Sequence, residues 1–421
     1  MNESVATHIK FVRILLNIRS SEIPYKMNEN YTVSPAKRPI LTVVSSFIIM
    51  LSLGGIYAWS IIVPELIREY NWTAVQSQLI FGVVIAVFPT TMILAGKLQH
   101  RLSPRIQAII SALFFGSGYL ISGYSEGNFY LILLGTGIMA GIGTGFGYMT
   151  ALTVPVKWFP EKKGLITGIV SAGFGLAAVV LTYLIEHALD EGVDSMEIFR
   201  RIGLGYGGLI FLFSFFIRKP QAAEATVLKG TKSMLRTRHF LVLVSGIFFG
   251  TFAGLLVLGN LSPIGADQGI EKHTLMIGVS VFAIANFTGR LSWGWISDYV
   301  NAHTCIPIAL LIQAAGIFLM GYLPLNGSLY ILLSLLTGFG FGSNFVLFAK
   351  ESASHFGIAN LGAIYPFVFL GYALAGILGP LTGGFLYDLT GSFHYASYVA
   401  AAMSVVGAIL FLLTRPANTH R

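Results

Sequence analysis

The sequence is poor in charge and nearly devoid of cysteine. Of its 421 residues only 10% are charged, against roughly 25% in ordinary soluble domains. That scarcity excludes a conventional water-facing surface over most of the chain. Cys305 is the single cysteine, so neither a disulfide framework nor a cysteine-built metal centre can form within the chain. No metal and no other cofactor is expected. Acidic residues are missing from the interior of every long apolar run, as is any convergent set of His, Asp, Glu or Cys, so an enzyme is not expected. No phosphate-cradling loop is present, which argues against ATP-driven work by this chain. The stretch GIGTGFG at 141–147 mimics a dinucleotide fingerprint, but it lies inside an apolar run and opens no strand–turn–helix unit.

What is abundant is apolar length. Hydrophobic residues make up 55% of the chain and glycines number 48, and the mean hydropathy is +0.75. A helix needs about 20 apolar residues to cross a bilayer core. Twelve such runs can be placed, at approximately 40–64, 75–96, 105–124, 129–155, 164–187, 201–217, 239–263, 274–297, 303–323, 328–349, 357–386 and 393–413. They are too long and continuous for barrel strands. The expected fold class is therefore an all-α membrane protein with 12 transmembrane helices.

Basic residues orient the spans. With both termini cytoplasmic, all of the 26 lysines and arginines fall inside except Arg68, Arg200, Arg201 and Lys272, in outer loops, and Arg290, within a span. That is a strong positive-inside asymmetry. The formal charge of +8 then reports topology, and no nucleic-acid partner is expected. Membrane lipid is the expected surrounding, a bacterial inner (plasma) membrane the expected location, and a monomer the expected state. The N-terminal segment lacks an uninterrupted apolar core with a cleavage site, so it does not read as a signal peptide. HIKFVRILLNIR within it suits either a disordered tail or a short basic helix on the inner leaflet, and translation from Met1 or from Met27 both fit the sequence.

The chain repeats itself. GIGTGFGYMTALTVPVKWF at 141–159 overlays GFGFGSNFVLFAKESASHF at 338–356, with glycines 141, 143 and 145 falling on 338, 340 and 342. Gly96, Gly164 and Gly173 fall on Gly294, Gly362 and Gly371. Runs two, four and five thus recur as eight, ten and eleven. The division this implies is an N-terminal tail, 1–39, a first six-helix half, 40–217, a basic linker, 218–238, a second half, 239–413, and a C-terminal tail, 414–421.

These features resemble the major facilitator superfamily. GRLSWGWISDYV at 289–300 is similar to its loop motif after helix eight, with Gly294 and Asp298 in the usual places. The first copy, GKLQHRLSPR at 96–105, keeps Gly96, Arg101 and Arg105 but has Gln99–His100 where an aspartate belongs. The stretches 135–175 and 355–393 resemble the oxalate–formate antiporter branch and its monocarboxylate-transporter relatives. The resemblance implies two pseudo-symmetric halves that alternate access around a midplane site, with these five motif residues serving conformational change.

Arg290 is the candidate anchor of that site. A charge near the bilayer centre costs from a few to over ten kcal/mol, on the order of magnitude, and is usually functional. Arg290 lies eight residues before Asp298, roughly 12 Å up the helix at 1.5 Å per residue. Its fork matches a carboxylate bidentately. The resemblance sharpens the reading. An aspartate that monocarboxylate relatives carry four residues earlier is Asn286 here, and a lysine of the antiporter's helix eleven aligns with Tyr372. One buried cation suits a monocarboxylate of the lactate, pyruvate or formate class better than oxalate. Tyr57, Tyr148, Phe341, Asn344 and Tyr365 complete the candidate binding set. Exchange for a second anion and symport with a proton both remain open. The alternative is a carrier of another class, for drug efflux or a neutral metabolite, in which Arg290 only braces a helix through carbonyl groups.

Overall fold

A computed structural model describes residues 37–220 and 231–414. The tails and most of the linker, with the inner-leaflet helix reading and the Met1/Met27 alternative, lie outside the described residues. Eleven of the described helices are long and apolar enough to cross a membrane, and Ser195–Ser214 makes the twelfth span. Span 1 is Lys37–Leu53, continued by a 3-10 turn, Gly54–Ala58, and a helix, Trp59–Tyr70. Span 2 is Ala74–Leu98 and span 3 Pro104–Gly123. Span 4 runs through Phe129–Ile132, a π-helical segment Leu133–Met139, and Ala140–Val156. Span 5 is Lys163–Asp190 and span 6 Ser195–Ser214. Spans 7 to 10 are Arg238–Asp267, Lys272–Tyr299, Ala302–Tyr322 and Gly327–Phe356. Span 11 is broken, Leu361–Val368 then Leu370–Thr390, and span 12 is His394–Leu412.

The helix starts follow local chemistry. Thr73, Ser103, Asn128, Asp194, Thr237, Asn301 and Asn326 each accept a bond from a backbone N–H of the helix they precede. The first N–H groups of a helix have no intrahelical partner, and each cap satisfies one or more of them, which favours a defined end. Four spans depart from the sequence reading. Spans 1 and 11 are interrupted, and span 4 carries a π turn where Gly135 packs on the backbone of Gly118. Span 6 begins at Ser195, because Glu197 takes up the charges of Arg200 (2.7 Å) and Arg201 (3.1 Å) within one helical turn. Those arginines are helical, where an outer loop was expected for them.

The repeat organises the packing. Span 4 lies on span 2 as span 10 lies on span 8: Gly141 meets Val87 and Gly145 meets Phe88, while Gly338 meets Phe282 and Gly342 meets Asn286. The contacts between halves swap in the same way. Gly96 of span 2 sits against Gly362 at the start of span 11, and Gly294 of span 8 sits against Gly164 at the start of span 5. A Cβ on Gly294 would stand 2.6 Å from the Gly164 carbonyl oxygen, closer than any real contact, so the two helices touch backbone to backbone there. Small residues permit this approach between membrane helices.

Candidate functional site

Arg290 sits at the junction of the halves and is wholly buried, at 0% exposure. Its own span orients it: Asn286, one turn earlier, accepts from Nε at 3.1 Å. Span 5, in the other half, supplies the Ser171 carbonyl, which accepts from a terminal nitrogen at 2.7 Å. Span 10 supplies the Phe345 ring, whose centroid lies 4.0 Å from the guanidinium carbon. Gly175 leaves space for the side chain, since a Cβ there would stand 3.2 Å from Nε. A carbonyl, an amide oxygen and a π face thus lie against the cation, and each stabilises positive charge.

Around this cation the structure gathers aromatic rings from both halves. Tyr148 of span 4 packs on Phe88 (5.1 Å between centroids), Phe174 (5.2 Å) and Phe369 (5.4 Å). Phe369 in turn packs on Tyr365 (5.5 Å) and Tyr372 (4.7 Å), and Tyr372 on Phe345 (5.6 Å). Tyr365 lies within electrostatic reach of both Tyr148 and Arg290. Tyr148, Tyr365 and Tyr372 are all buried.

The sequence-derived set divides on the structure. Arg290, Asn286, Tyr148, Tyr365 and Tyr372 come together. Phe341 stands at the edge, 5.3 Å from Phe345 and against Gly254. Asn344 is turned into the second half, where its amide donates to Gln313 (3.3 Å) and to the Phe341 carbonyl (3.0 Å) and its oxygen abuts Gly250. Tyr57 belongs to the 3-10 turn of span 1, and its side chain lies outside the described residues. Sequence reasoning missed Phe345, Phe369, Ser171 and Gly175. The signal for two of them was available: 365, 369 and 372 share a helix face, and 345 lies one turn beyond 341. For Ser171 no signal exists, because a backbone carbonyl has no sequence signature.

At one end of the bundle, here called the basic end, lie the loops 97–105 and 157–163 and the start of span 9. Asp298 there accepts from the backbone N–H groups of Gly164 (2.8 Å) and Leu165 (2.7 Å) in the other half. A carboxylate on a helix N-terminus is favoured by the unsatisfied N–H groups and the helix dipole. Lys350 bonds the same carboxylate at 2.8 Å and the Ser297 carbonyl. In the degenerate copy, Gln99 lies against Gly362 at the start of span 11 and donates to Thr153 at 2.8 Å. Arg105 donates to the Phe215 carbonyl at 2.9 Å, while Arg101 is exposed. Burial, with Lys219 nearby, lowers the pKa of Lys157 in the 157–163 loop.

Lys350 and Glu351, adjacent in sequence and suited to an inner gate or a solvated pair, are both buried and do not pair with each other. Successive helical residues point about 100° apart, so Lys350 reaches Asp298 while Glu351, 1% exposed, faces His239 and His303.

The model of the Major Facilitator Superfamily matches residues 44–365 and, in a second match, 243–421. The chain belongs to this superfamily. It is therefore a multi-pass membrane transporter, of a family whose members are not enzymes. The oxalate:formate antiporter of Oxalobacter formigenes is 30% identical over 333 residues, covering 74% of this chain and 79% of its own. Monocarboxylate transporter 11 of Mus musculus is 22% identical over 401 residues, covering 86% and 84%. Among solved structures, the proton:xylose symporter XylE superposes with a TM-score of 0.71 at 15% identity, over 89% of this chain and 95% of that one, a likeness of fold alone.

Proposed function

We propose that this superfamily member carries a small monocarboxylate, of the formate, lactate or pyruvate class, and that Arg290 binds its carboxylate. The observation that carries the reading is a wholly buried guanidinium at the seam of the two halves. The Asn286 amide oxygen and the Ser171 carbonyl are among its partners there, and tyrosines stand beside it. A planar anion can meet such a fork, with Tyr148 and Tyr365 supplying donors from an otherwise apolar wall. Relatives named for oxalate, formate and monocarboxylates support the substrate class. The halves, 40–217 and 239–413, then rock about the 218–238 linker, and the basic end faces the cytoplasm with both termini. In that orientation Asp298, Lys350 and the Gly164–Gly294 and Gly96–Gly362 contacts form the inner closure, to which Arg101 and Arg105 of the first motif copy contribute basic charge. Exchange of one anion for another, which needs only a shared Arg290, is the favoured mode.

The bond from Arg290 to the Ser171 carbonyl favours a second reading. There the arginine braces spans 5 and 8, and the substrate is a neutral metabolite or a drug. One experiment separates the two. Labelled formate, lactate, pyruvate and oxalate are offered to proteoliposomes preloaded with unlabelled anion. Trans-stimulated uptake of a monocarboxylate that disappears in R290A establishes the first reading; no uptake of any of the four moves the assignment to the second.

A further inference from the structure

Away from the anion site, the basic end of the second half holds a cluster of ionisable groups that neither carboxylate binding nor the inner closure uses. Glu351 of span 10 is 1% exposed. One of its oxygens lies 3.3 Å from His239 Nε2, at the start of span 7, and 3.5 Å from His303 Nδ1, at the start of span 9. All three atoms are buried, and none meets hydrogen-bond geometry with a partner. The His355 ring, on the surface, stacks on His239 with centroids 3.6 Å apart and planes 5° from parallel. Among the described residues, the titratable groups facing Glu351 are His239, His303 and His355. Span 12 and the residues after it give His303 the Phe411 ring and the Phe411 and Thr414 carbonyls, and Lys350 is turned away to Asp298.

We propose that Glu351, His239, His303 and His355 form a proton-binding site that fills from solution at the basic end and, when filled, latches span 10 to spans 7 and 9. A buried carboxylate is costly unless it is paired with positive charge. Histidine is the side chain that supplies or withdraws such charge between about pH 5 and pH 8. His355 meets the solvent, and His239 beneath it meets Glu351. Two imidazoles stacked this closely cannot both be cations cheaply, so the pair accepts one proton and His303 accepts another. Each proton comes from water and stays on an imidazole nitrogen, where it turns a contact between a neutral ring and the Glu351 carboxylate into an ion pair. On loss of the protons the latch slackens. The next residue back, Lys350, is the anchor of the closure on Asp298. The same turn of span 10 thus carries the latch on one side and the seam between the halves on the other, so a slack latch frees the closure to open.

The test needs no substrate and is independent of the carboxylate reading. Hydrogen exchange of the full-length protein in detergent is followed at residues 297–305 and 347–356, at about pH 6 and about pH 8, and corrected for the intrinsic pH dependence of amide exchange. Wild type is expected to lose about five- to tenfold of protection in both segments at the higher pH, the ratio that about one net hydrogen bond supplies, while residues 140–156 do not respond. E351Q should show the lower protection at both pH values. If E351Q does not accumulate, H239Q combined with H303Q carries the same expectation. Equal corrected protection of wild type at the two pH values, or a variant that keeps the wild-type response, overturns the proposal.

Discussion

At the scale of single residues, the question is how much Arg290 and its cage contribute. Hydrogen bonds to charged groups are worth about 1.5–3 kcal/mol, so R290A should lower uptake efficiency by about tenfold to over a hundredfold, measured as initial rates in proteoliposomes. R290K should recover little of it, because an ammonium keeps the charge and loses the planar fork. Phe345 makes a separate contribution. Its face stabilises a desolvated guanidinium by about 2 kcal/mol, and F345L should raise the KM for the anion several-fold while leaving the amount of inserted protein unchanged. Arg290 stood out in the sequence, since a lone cation in hydrocarbon is conspicuous. Phe345 did not, because this chain has 32 phenylalanines and most of them simply pack.

At the scale of elements, the decisive unit is the carboxylate that bridges two helix ends. Asp298 and Lys350 are both nearly buried, at 9% and 7% side-chain exposure. Removing one partner of such a pair typically costs about 3–5 kcal/mol, because the other charge is stranded. D298N should therefore lower the melting temperature in detergent and expose the basic end to a water-soluble thiol or protease probe. D298N combined with K350M should lose less than the sum of the single changes, a coupling that a double-mutant cycle reads directly. Gly164 gives a second handle: G164A puts a methyl group against the Gly294 carbonyl, and transport should fall in G164A and in its symmetry image G362A alike. The sequence made this seam legible through its 197- and 198-residue glycine offsets. It hid the partners of Asp298, because backbone N–H groups carry no side-chain signal. The breaks in spans 1, 4 and 11 were hidden too, since hydropathy reports length and not helical register.

For the whole molecule, the burial of Arg290 and the three tyrosines means that substrate enters only after one seam opens. A ligand that binds the closed form selectively must stabilise it, by about 2.7 kcal/mol at a hundred times its Kd. A monocarboxylate should accordingly raise the melting temperature of the wild type and leave that of R290A unmoved. The twelve-span architecture was readable from apolar length and repeat alone, but the charged start of span 6 was not, because Glu197 holds two arginines in a helical turn that hydropathy reads as loop. The histidines around Glu351 were not readable at all. Residues 239, 303 and 351 lie on three different spans, and only folding makes them neighbours.

The π turn at Leu133–Met139 fixes an angle as well as a packing contact. Such a segment behaves as one extra residue in an otherwise α-helical path, and each residue advances a helix by about 100°. The segment Ala140–Val156 is thus rotated relative to Phe129–Ile132 by the amount that one insertion supplies. Tyr148 points at Phe369 because of that added twist. A chain with a single deletion within 133–139 would keep every side chain of the cage and still carry this tyrosine to a different azimuth. The phase of the bundle is set here by counting residues, before any side chain is chosen.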